Sequence, residues 1–489
     1  MKLLPQWRCK ALIKSAKLSF SSIRLQVPTE WRDANLRQQI KQLNEANNKK
    51  IIVLDDDPTG VQTVHDVDVL TVWNKSLLIE AFDNQENVFY ILTNTRGVDR
   101  AEAERINREI IRNVYEVASE KGIEFVFISR SDSTLRGYYP LEIDVLSEEM
   151  GRLSGKPYDG HLIIPAFFEA GRITYKNTHY IVDQDEMLPA HDSEFAKDKV
   201  FGYRNGDLTQ WVAEKTEGRI RPVDCIAITL NDIRRGPKVV QEILMRVEGN
   251  APVIVNALSY ADLDVLSIAL LYAESQGKKF VFRTAASFVK SYGGIGDQSY
   301  LPRDMLIAKG QEAHGGLIVV GSYVQKTTTQ LERLVANNDI VPLEMDVERI
   351  LNASEHDNEL KQLIHEVNEL LLQGRNVVVY SSRKLIALES ISANLDISQT
   401  VSTALVQIVQ SLKVNPKFII AKGGITSSDV ATKGLCIRKA RIIGQVCAGV
   451  PVWLTGEEAK FSGMPYIVFP GNIGSDTTLL EAVEKIEGL

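Results

Sequence analysis

The segment 51–60, IIVLDDDPTG, combines a short apolar run with three consecutive aspartates at its end. In open α/β sheets, carboxylates at the carboxyl end of a buried strand lie where these folds bind their ligands. Three adjacent like charges repel one another, so a metal ion, an arginine or a bound substrate should lie nearby. The segment therefore predicts a charged binding or catalytic site.

Three further predicted strands of the N-terminal half also end in polar side chains. They are followed by Asn94, Thr95 and Arg96; by SRSDSTLRG (129–137), with Arg130, Asp132, Ser133, Thr134 and Arg136; and by PAFFEAGR (165–172), which ends in Arg172. Because the carboxyl ends of parallel strands share one edge of a sheet, we expect all four groups to line one crevice. Any one group could be a cap or a turn, but carboxylates, hydroxyls and arginines together favour a small, polar, anionic ligand.

The C-terminal half carries glycine-rich junctions that favour phosphate binding. They are AKGGITSSDVA (421–431), FPGNIGSDTTLLEAV (469–483) and, beside them, GSYVQKTTTQL (321–331). Glycine lets the backbone approach phosphate closely, and the start of a helix offers free N–H groups. Each junction alone is common in α/β folds, but together they predict a nucleotide-phosphate cradle. Neither a P-loop motif nor an early G-x-G-x-x-G occurs in the chain.

The elements that must position these residues follow an alternating pattern. From about residue 48, apolar runs alternate with amphipathic stretches, which predicts mostly parallel sheets with right-handed crossovers. The stretch 101–122 has helical periodicity and should end at Gly122. A turn-rich segment, YGGIGDQSYLP (292–302), separates two such series. The fold class predicted is α/β, with two α/β domains and an active-site cleft between them.

Composition excludes several classes of protein. The 489 residues carry a formal net charge of −7, which disfavours nucleic acid and anionic membranes as partners. No apolar run approaches the length of about 18–20 residues needed to span a membrane. The four cysteines form no C-x-x-C pair, as expected for a cytoplasmic protein with reduced thiols. Six basic residues and no acidic one precede Glu30, so organelle targeting is the alternative.

At these motifs the chain resembles the four-carbon acid sugar kinases, over residues 47 to 487. DDPTG (56–60) resembles the family's D-D-x-T-G sugar signature, SDSTLRG (131–137) its S-T-x-R-G loop, and PAFFEAGR its third N-terminal signature; GGIT (423–426) and GNIG (471–474) resemble its two ATP loops. The resemblance implies phosphorylation of erythronate, threonate or 3-oxo-tetronate by ATP with Mg²⁺. No protein side chain is assigned to the metal, and a homodimer is the default assembly.

The sequence pattern and the resemblance together give the expected residue roles and domain boundaries. The domains expected are a basic extension (1–46), an acid-sugar-binding domain (47–291), a linker (292–310) and a nucleotide-binding domain (311–489). The sugar acid should contact Asp56, Asp57, Thr59, Gly60, Arg96, Arg130, Ser133, Thr134, Arg136 and Arg172, with Asp56 or Asp57 orienting or deprotonating the attacking hydroxyl. The nucleotide should contact Ser322, Gly423, Gly424, Ile425, Thr426, Gly471, Asn472 and Gly474.

Two positions depart from the family pattern. Pro58 stands where the family often has an aromatic residue before Thr-Gly. The family's G-S-C-S nucleotide loop corresponds here to GSYV (321–324), so Val324 replaces a serine and Ser322 remains the candidate. The departures affect the choice of substrate and some nucleotide contacts, but they leave the phosphate cradle in place.

Two alternatives to a kinase remain at this stage. The run 55–59 also fits D-x-D-x-T, the pattern of a haloacid-dehalogenase-type phosphatase with Asp55 as nucleophile and Asp57 as general acid. Such an enzyme also needs a later strand ending in paired acidic residues and a lysine loop, and the sequence offers no convincing set. A non-catalytic sugar-acid sensor would keep the same arginines and aspartates for binding alone.

Overall fold

A computed structural model of the protein describes residues 19–33, 35–322, 324–337, 339–383, 391–471 and 473–489, with the backbone alone at 391–396 and 398. Two expectations from sequence lie outside the described residues. These are the contact of Asn472 with the nucleotide and the character of the first 18 residues.

The apolar run at the start of segment 51–60 lies in the first of the strands that the described chain forms. They are β1 (Lys50–Asp55), β2 (Val67–Leu70), β3 (Val88–Leu92), β4 (Phe125–Arg130), β5 (Gly160–Ile164), β6 (Arg172–Tyr175), β7 (Thr178–Asp183), β8 (Glu186–Pro189), β9 (Ile226–Ile228), β10 (Ala251–Val255), β11 (Phe280–Thr284), β12 (Leu317–Val320), β13 (Ile340–Met345), β14 (Asn376–Ser381), β15 (Ile419–Lys422), β16 (Lys439–Cys447), β17 (Val450–Thr455) and β18 (Pro465–Phe469).

The helices fill the connections between these strands. They are α1 (Phe20–Gln26), α2 (Leu36–Asn47), α3 (Lys75–Asp83), α4 (Arg100–Lys121), α5 (Leu141–Ser154), α6 (Leu208–Lys215), α7 (Leu230–Ile233), α8 (Pro237–Leu244), α9 (Tyr260–Ser275), α10 (Ala286–Tyr292), α11 (Gln325–Val335), α12 (Val347–Leu351), α13 (His356–Leu372), α14 (Ile391–Gln410), α15 (Gly424–Asp429) and α16 (Thr478–Glu487). As predicted, α4 ends at Gly122, whose left-handed backbone (φ 63°) closes the helix.

One mixed sheet of 15 strands runs through both α/β domains, in the order β13-β14-β12-β15-β18-β17-β16-β2-β3-β1-β4-β11-β5-β10-β9. The strands on each flank are parallel, as predicted, and the inner ones are buried on both faces: every residue of β1 is buried. The antiparallel strands β16, β17 and β18 connect the flanks. The sequence pattern predicts the two parallel series but gives no sign that they share a sheet.

The junction between the two series is the antiparallel pair of β2 with β16. Asp68 on β2 lies 3.3 Å from Arg441 and 3.2 Å from Lys439, which are both on β16. Backbone and side-chain contacts thus join the halves of the chain across this pair. Between α10 and β12 the chain forms only a short 3-10 turn at Arg303–Met305, so the linker boundaries at 292–310 stay a prediction.

The N-terminal segment packs on the N-terminal half from residue 19 onward. The strands β6, β7 and β8 form a separate antiparallel sheet. The Phe20 N–H donates to the Asp185 carbonyl (2.9 Å), at the turn between β7 and β8, and Ile23 is buried against this sheet. In α2, Arg37 pairs with Asp264 at 2.8 Å. None of the helices among the described residues is long and apolar enough to cross a membrane.

Candidate active site

Arg96 joins the acidic groups that follow two strands, β1 and β4. Its guanidinium nitrogens lie 3.1 Å from Asp56 Oδ2, 2.9 Å from Asp57 Oδ2 and 3.5 Å from Asp132 Oδ1. Arg96 follows β3, the neighbour of β1, and Asp132 follows β4 on the other side. The strand ends therefore meet as expected. Burial disfavours the charge of Arg96, but the surrounding carboxylates outweigh it and raise the pKa of the guanidinium.

Asp57 is the most exposed and the most acidic member of the aspartate triplet. Its side chain is 18% exposed, against 3% for those of Asp55 and Asp56. Burial alone would raise its pKa, but Arg96 and Arg130, with hydrogen bonds from the Thr59 hydroxyl and N–H, lower it. Asp57 is therefore ionised at neutral pH.

Asp55, the first aspartate of the triplet, is buried in close contact with neighbouring residues. Its Oδ1 lies 3.2 Å from Arg130 Nη1, and a side chain at Gly60 would place its Cβ 1.9 Å from Oδ2. Gly60 therefore has to lack a side chain for this carboxyl group to fit. Burial, reinforced by the charges of Asp56 and Asp57, raises the pKa of Asp55 to about 8 despite Arg130.

One carboxylate oxygen of Asp56 accepts a hydrogen bond from a hydroxyl group, and the other has no hydrogen-bond donor. The Ser131 hydroxyl donates to Oδ2 at 2.9 Å, while Oδ1 has no hydrogen-bond partner and lies 3.6 Å from Arg130 Nη1. Burial raises the pKa of this carboxyl group, and Arg96 and Arg130 only partly offset that effect. A buried carboxylate oxygen without a donor is suited to accept a ligand hydroxyl.

The loop 131–137 turns its N–H groups toward Asp132. Asp132 Oδ2 accepts from the N–H and hydroxyl groups of Thr134 and, at 2.9 Å, from Nε of Arg136. Burial opposes the charge of Asp132, but Arg136 and Arg96 lower its pKa strongly. Asp132 therefore orders this loop and is not itself directed at a ligand.

The carbonyl groups of the same loop are held by three buried side chains that no motif marks. Arg283, at the end of β11, donates to the carbonyls of Asp132 (3.2 Å) and Arg136 (3.1 Å). His179 Nε2 lies 2.7 Å from the Ser133 carbonyl, and the Tyr203 hydroxyl donates to the Thr134 carbonyl at 2.7 Å. Burial lowers the pKa of His179 to about 3, so its imidazole is neutral.

Glu142, on α5, is a further buried acid that sequence reasoning missed. It accepts the Thr95 hydroxyl at 2.8 Å. Burial, followed by the charge of Asp56, raises its pKa. Since glutamate is common on the solvent face of a helix, only the packing of α5 on the sheet reveals this residue as part of the site.

Arg172 forms no ion pair with any carboxylate of the described residues. Its Nη1 donates to the Ala170 carbonyl, its Nε is buried without a hydrogen-bond partner, and no carboxylate of the described residues lies within 4.0 Å. Burial lowers its pKa. Of the predicted arginines, Arg172 is the one without a carboxylate at ion-pair distance among the described residues, and the more distant Asp132 offsets the effect of burial only in part.

The predicted nucleotide loops converge on Ser322. A side chain at Gly423 would place its Cβ 2.9 Å from Ser322 Cβ, and one at Gly471 would lie 3.3 Å from Ser322 Oγ. At Gly321, the residue before it, a Cβ would lie 2.4 Å from Thr426 Oγ1. The three junctions therefore form one surface. Because its glycines have no side chains, a ligand can approach the backbone of this surface closely.

Side chains of α11 hold the backbone of Gly471, Ile473 and Ser475 in place. Gln330 donates to the carbonyls of Ile473 (3.0 Å) and Ser475 (2.6 Å), and the Thr327 hydroxyl donates to the Gly471 carbonyl at 3.0 Å. Gly474 has a φ of 83°, in the left-handed region that favours glycine. Beside these loops, Ile425 is 67% exposed.

Two lysines that sequence reasoning missed flank the glycine loops. Lys422, the last residue of β15, is fully buried, with Nζ donating to the Pro470 carbonyl (3.0 Å) and lying 4.3 Å from the ring centroid of Phe469. Burial, with a smaller contribution from Lys326, lowers the pKa of Lys422 to about 7. Lys326 donates to the Gly474 carbonyl at 3.0 Å.

The acidic cluster touches the nucleotide loops directly. A side chain at Gly424 would place its Cβ 2.6 Å from Asp57 Oδ2, and Asn94 Nδ2 donates to the Ser428 hydroxyl. Asp57 and Asn94 belong to the N-terminal half, while Gly424 and Ser428 belong to the C-terminal half. A ligand group bound by Asp57 would therefore lie beside a ligand group bound by the glycine loops.

Comparison with known families identifies both halves. Residues 51–292 match the family model of the sugar-binding N-terminal domain, and residues 317–479 match that of the nucleotide-binding C-terminal domain. Together the two matches cover well over half of the chain. The protein belongs to the four-carbon acid sugar kinase family.

Solved structures share this family's fold. A Salmonella typhimurium LT2 protein provisionally described as a tRNA synthase is similar with a TM-score of 0.65 and 17% identity, over 88% of this chain and 98% of its own. A Haemophilus influenzae protein of the family DUF1537 has a TM-score of 0.59 and 19% identity, over 90% of this chain and 99% of its own. At these identities the likeness shows the fold alone. A search of curated proteins found no match.

The described part of this family member contains no group of three His, Cys, Asp or Glu side chains that could hold a metal ion. Mg²⁺ is commonly held by one or two carboxylates together with nucleotide phosphates and water. The ionised Asp57, next to Gly424, is the acidic side chain that fits such an arrangement.

Proposed function

We propose that this protein is an ATP-dependent kinase that phosphorylates a hydroxyl group of a four-carbon sugar acid of the erythronate, threonate or 3-oxo-tetronate type. The observation that carries the proposal is the contact between Asp57 and Gly424. A kinase has to bring an acceptor hydroxyl and a nucleotide phosphate together, and this contact joins a hydroxyl-binding carboxylate to a glycine surface suited to phosphate.

The acid end of the substrate would bind Arg172 and Arg136. Arg172 has no carboxylate partner among the described residues, and a bidentate pair with the substrate would supply the missing counter-charge. The free Oδ1 of Asp56 would accept a hydroxyl group of the substrate. Arg96 keeps both Asp56 and Asp57 in position for this.

In the chemical step, an oxygen of the substrate hydroxyl forms a bond to the γ-phosphorus of ATP while the bond from that phosphorus to the β-phosphate oxygen breaks and ADP leaves. Asp57 orients the hydroxyl and accepts its proton. The low pKa of Asp57 makes it a weak base, which suffices because the transition state of phosphoryl transfer is loose and depends chiefly on alignment.

The nucleotide would lie on the surface formed by Ser322, Gly423 and Gly471, with Lys422 and Lys326 contributing positive charge. Asp57 would help to hold Mg²⁺, whose positive charge would neutralise the negative charge that develops on the phosphates. Water has to be excluded from this site, because it competes as an acceptor.

The test is an ADP-release assay with MgATP and a panel of four-carbon sugar acids. Release of ADP that depends on one of these acids supports the proposal. Release of phosphate from phospho-sugars without nucleotide would instead support a phosphatase, and stabilisation by a sugar acid without turnover would support a sensor. Light scattering of the same sample would test the homodimer that we expect as its assembly.

A further inference from the structure

The ring of Phe195 contacts both arginines assigned to the substrate carboxylate. Its centroid lies 5.1 Å from Cζ of Arg136 and 5.9 Å from Cζ of Arg172. Phe195 belongs to a short 3-10 turn, Glu194–Lys197, that no sequence motif marks. We propose that Phe195 is a specificity-determining residue, whose ring holds Arg136 and Arg172 as a paired receptor for the substrate carboxylate. The inference rests on the proposed function.

The position of Phe195 is tied to the loop that carries Arg136. The Tyr203 hydroxyl donates both to the Thr134 carbonyl (2.7 Å) and to the Ala190 carbonyl (3.2 Å), and the Tyr203 N–H donates to the Ala196 carbonyl (3.0 Å). The segment on either side of Phe195 is therefore fastened to the 131–137 loop. The ring and the arginine keep a fixed relation to each other.

The ring of Phe195 interacts favourably with the positive charges of Arg136 and Arg172. Arg136 and Arg172 carry like charges at short range, and Arg136 disfavours the charge of Arg172. Arg136 has Asp132 at 2.9 Å and Asp198 at 3.8 Å, whereas Arg172 has no carboxylate within 4.0 Å among the described residues. The face of an aromatic ring attracts cations, so Phe195 stabilises a pair that lacks one full counter-charge.

The same arrangement should favour a charged ligand over a neutral one. A carboxylate adds the counter-charge that Arg172 lacks, while the ring shields the guanidinium groups from water and so strengthens the ion pair. An aldehyde or lactone of the same length adds no charge. Removing the ring should therefore weaken binding of the acid more than binding of its neutral analogue.

The experiment compares Phe195→Leu, Phe195→Ala and Phe195→Tyr with the wild-type protein. For each, KM for the sugar acid, KM for ATP and the ratio of kcat/KM for the acid over the four-carbon neutral sugar are measured. We expect Phe195→Tyr to behave as wild type and the other two variants to raise KM for the acid about three- to thirtyfold. KM for ATP should stay unchanged, and the acid-to-neutral ratio should fall.

Phe201→Leu is the matched control for loss of packing in the same segment. Phe201 is buried and its ring contacts Tyr138, with a centroid separation of 5.0 Å. This variant should lower the melting temperature without changing KM for the acid. Because Phe195 is only half-buried, its variants should fold, and circular dichroism would check this.

The possible failures are distinguishable. If the wild-type protein turns over a sugar acid but Phe195→Ala leaves both KM for the acid and the acid-to-neutral ratio unchanged, the role of Phe195 is wrong and the kinase proposal stands. An equal loss in the Phe201→Leu control would also overturn that role. If the wild-type protein neither binds nor turns over any acid of the panel, the proposed function fails, and the role of Phe195 fails with it.

Discussion

Replacement by asparagine should affect kcat very differently at Asp55 and at Asp57, although these residues are only two positions apart. With a pKa of about 8, Asp55 carries its proton in roughly nine-tenths of the molecules at pH 7. Asparagine is a close copy of that neutral form. We expect Asp55→Asn to keep kcat within about tenfold of wild type, a change of at most about 1.4 kcal/mol in the barrier.

Asp57→Asn removes a charge that the folded protein maintains. Arg96 and Thr59 keep this carboxylate ionised, and it is the one beside Gly424. Loss of a group that accepts a proton and orients the hydroxyl typically costs about 10²- to 10⁴-fold in kcat, or about 3–5.5 kcal/mol. Binding of ATP in the absence of Mg²⁺, measured by calorimetry, should persist because the glycine loops are untouched.

The stability of the Asp55→Asn variant supplies a second measurement. The carboxyl group of Asp55 titrates near the ordinary aspartate value of 3.8 in the unfolded chain, whereas its pKa in the folded protein is about 8. Its contribution to the free energy of unfolding is therefore fully present below about pH 4 and is lost as the pH rises to 8, at up to about 1.4 kcal/mol per pH unit. Asp55→Asn should remove this slope from the pH dependence of urea unfolding.

The assay for turnover is ADP release at pH 7 with saturating MgATP and the sugar acid that the wild-type protein accepts. Equal loss of turnover in both variants would refute the assignment, because it would make Asp55 as essential as Asp57. An unchanged slope of stability with pH in Asp55→Asn would refute the protonation state on which the contrast depends. Unchanged turnover in Asp57→Asn would remove that residue from the reaction.

Three further predictions concern the surroundings of these aspartates. Gly424→Ala would place a Cβ 2.6 Å from Asp57 Oδ2, so kcat should fall about 10²-fold in steady-state assays, as for a displacement of about 1 Å, with KM for the sugar acid nearly unchanged. Lys422 should lose its proton as the pH rises through about 7, so wild-type affinity for ATP should fall over that range. Lys422→Met should bind ATP weakly at pH 6 and show no such titration in calorimetry, while its unfolding free energy stays the same or rises. Arg283 donates to the Asp132 and Arg136 carbonyls through Nη2, and the side chain of lysine ends one atom short of that position. Arg283→Lys should therefore lower the unfolding free energy by about 1–3 kcal/mol and raise KM for the sugar acid.

The parts of the fold that could be predicted from sequence are those with a local signal. Apolar runs such as 51–54 gave buried parallel strands, and Gly122 ended its helix as expected. The grouping of polar strand ends could be predicted because parallel strands present their carboxyl ends at one edge. Arg96, between Asp56, Asp57 and Asp132, shows that this grouping is real.

The parts that could not be predicted depend on distant segments. The nine-residue strand β16 alternates buried and half-buried residues, and its pairing with β2 joins segments about 370 positions apart. Likewise, Arg283, Glu142 and Lys422 are charged residues whose burial follows only from partners elsewhere in the chain. Charged side chains are rarely buried unless they are paired, so a single sequence assigns them to the surface by default.

The surroundings of Asp55 also favour one of the two interpretations of the D-x-D-x-T pattern. A phosphatase nucleophile in this position has to be an ionised carboxylate, whereas Asp55 is packed against Gly60, lies 3.2 Å from Arg130 and, with a pKa of about 8, is mostly protonated at pH 7. The chain turns back immediately after the triplet, where the Gly60 N–H donates to the Asp57 carbonyl at 3.1 Å. That turn covers Asp55 and presents Asp57 to Gly424 instead. A phosphoryl group at the glycine loops would therefore meet the carboxylate suited to hold an acceptor hydroxyl, which is the geometry that transfer from a nucleotide to a sugar acid requires.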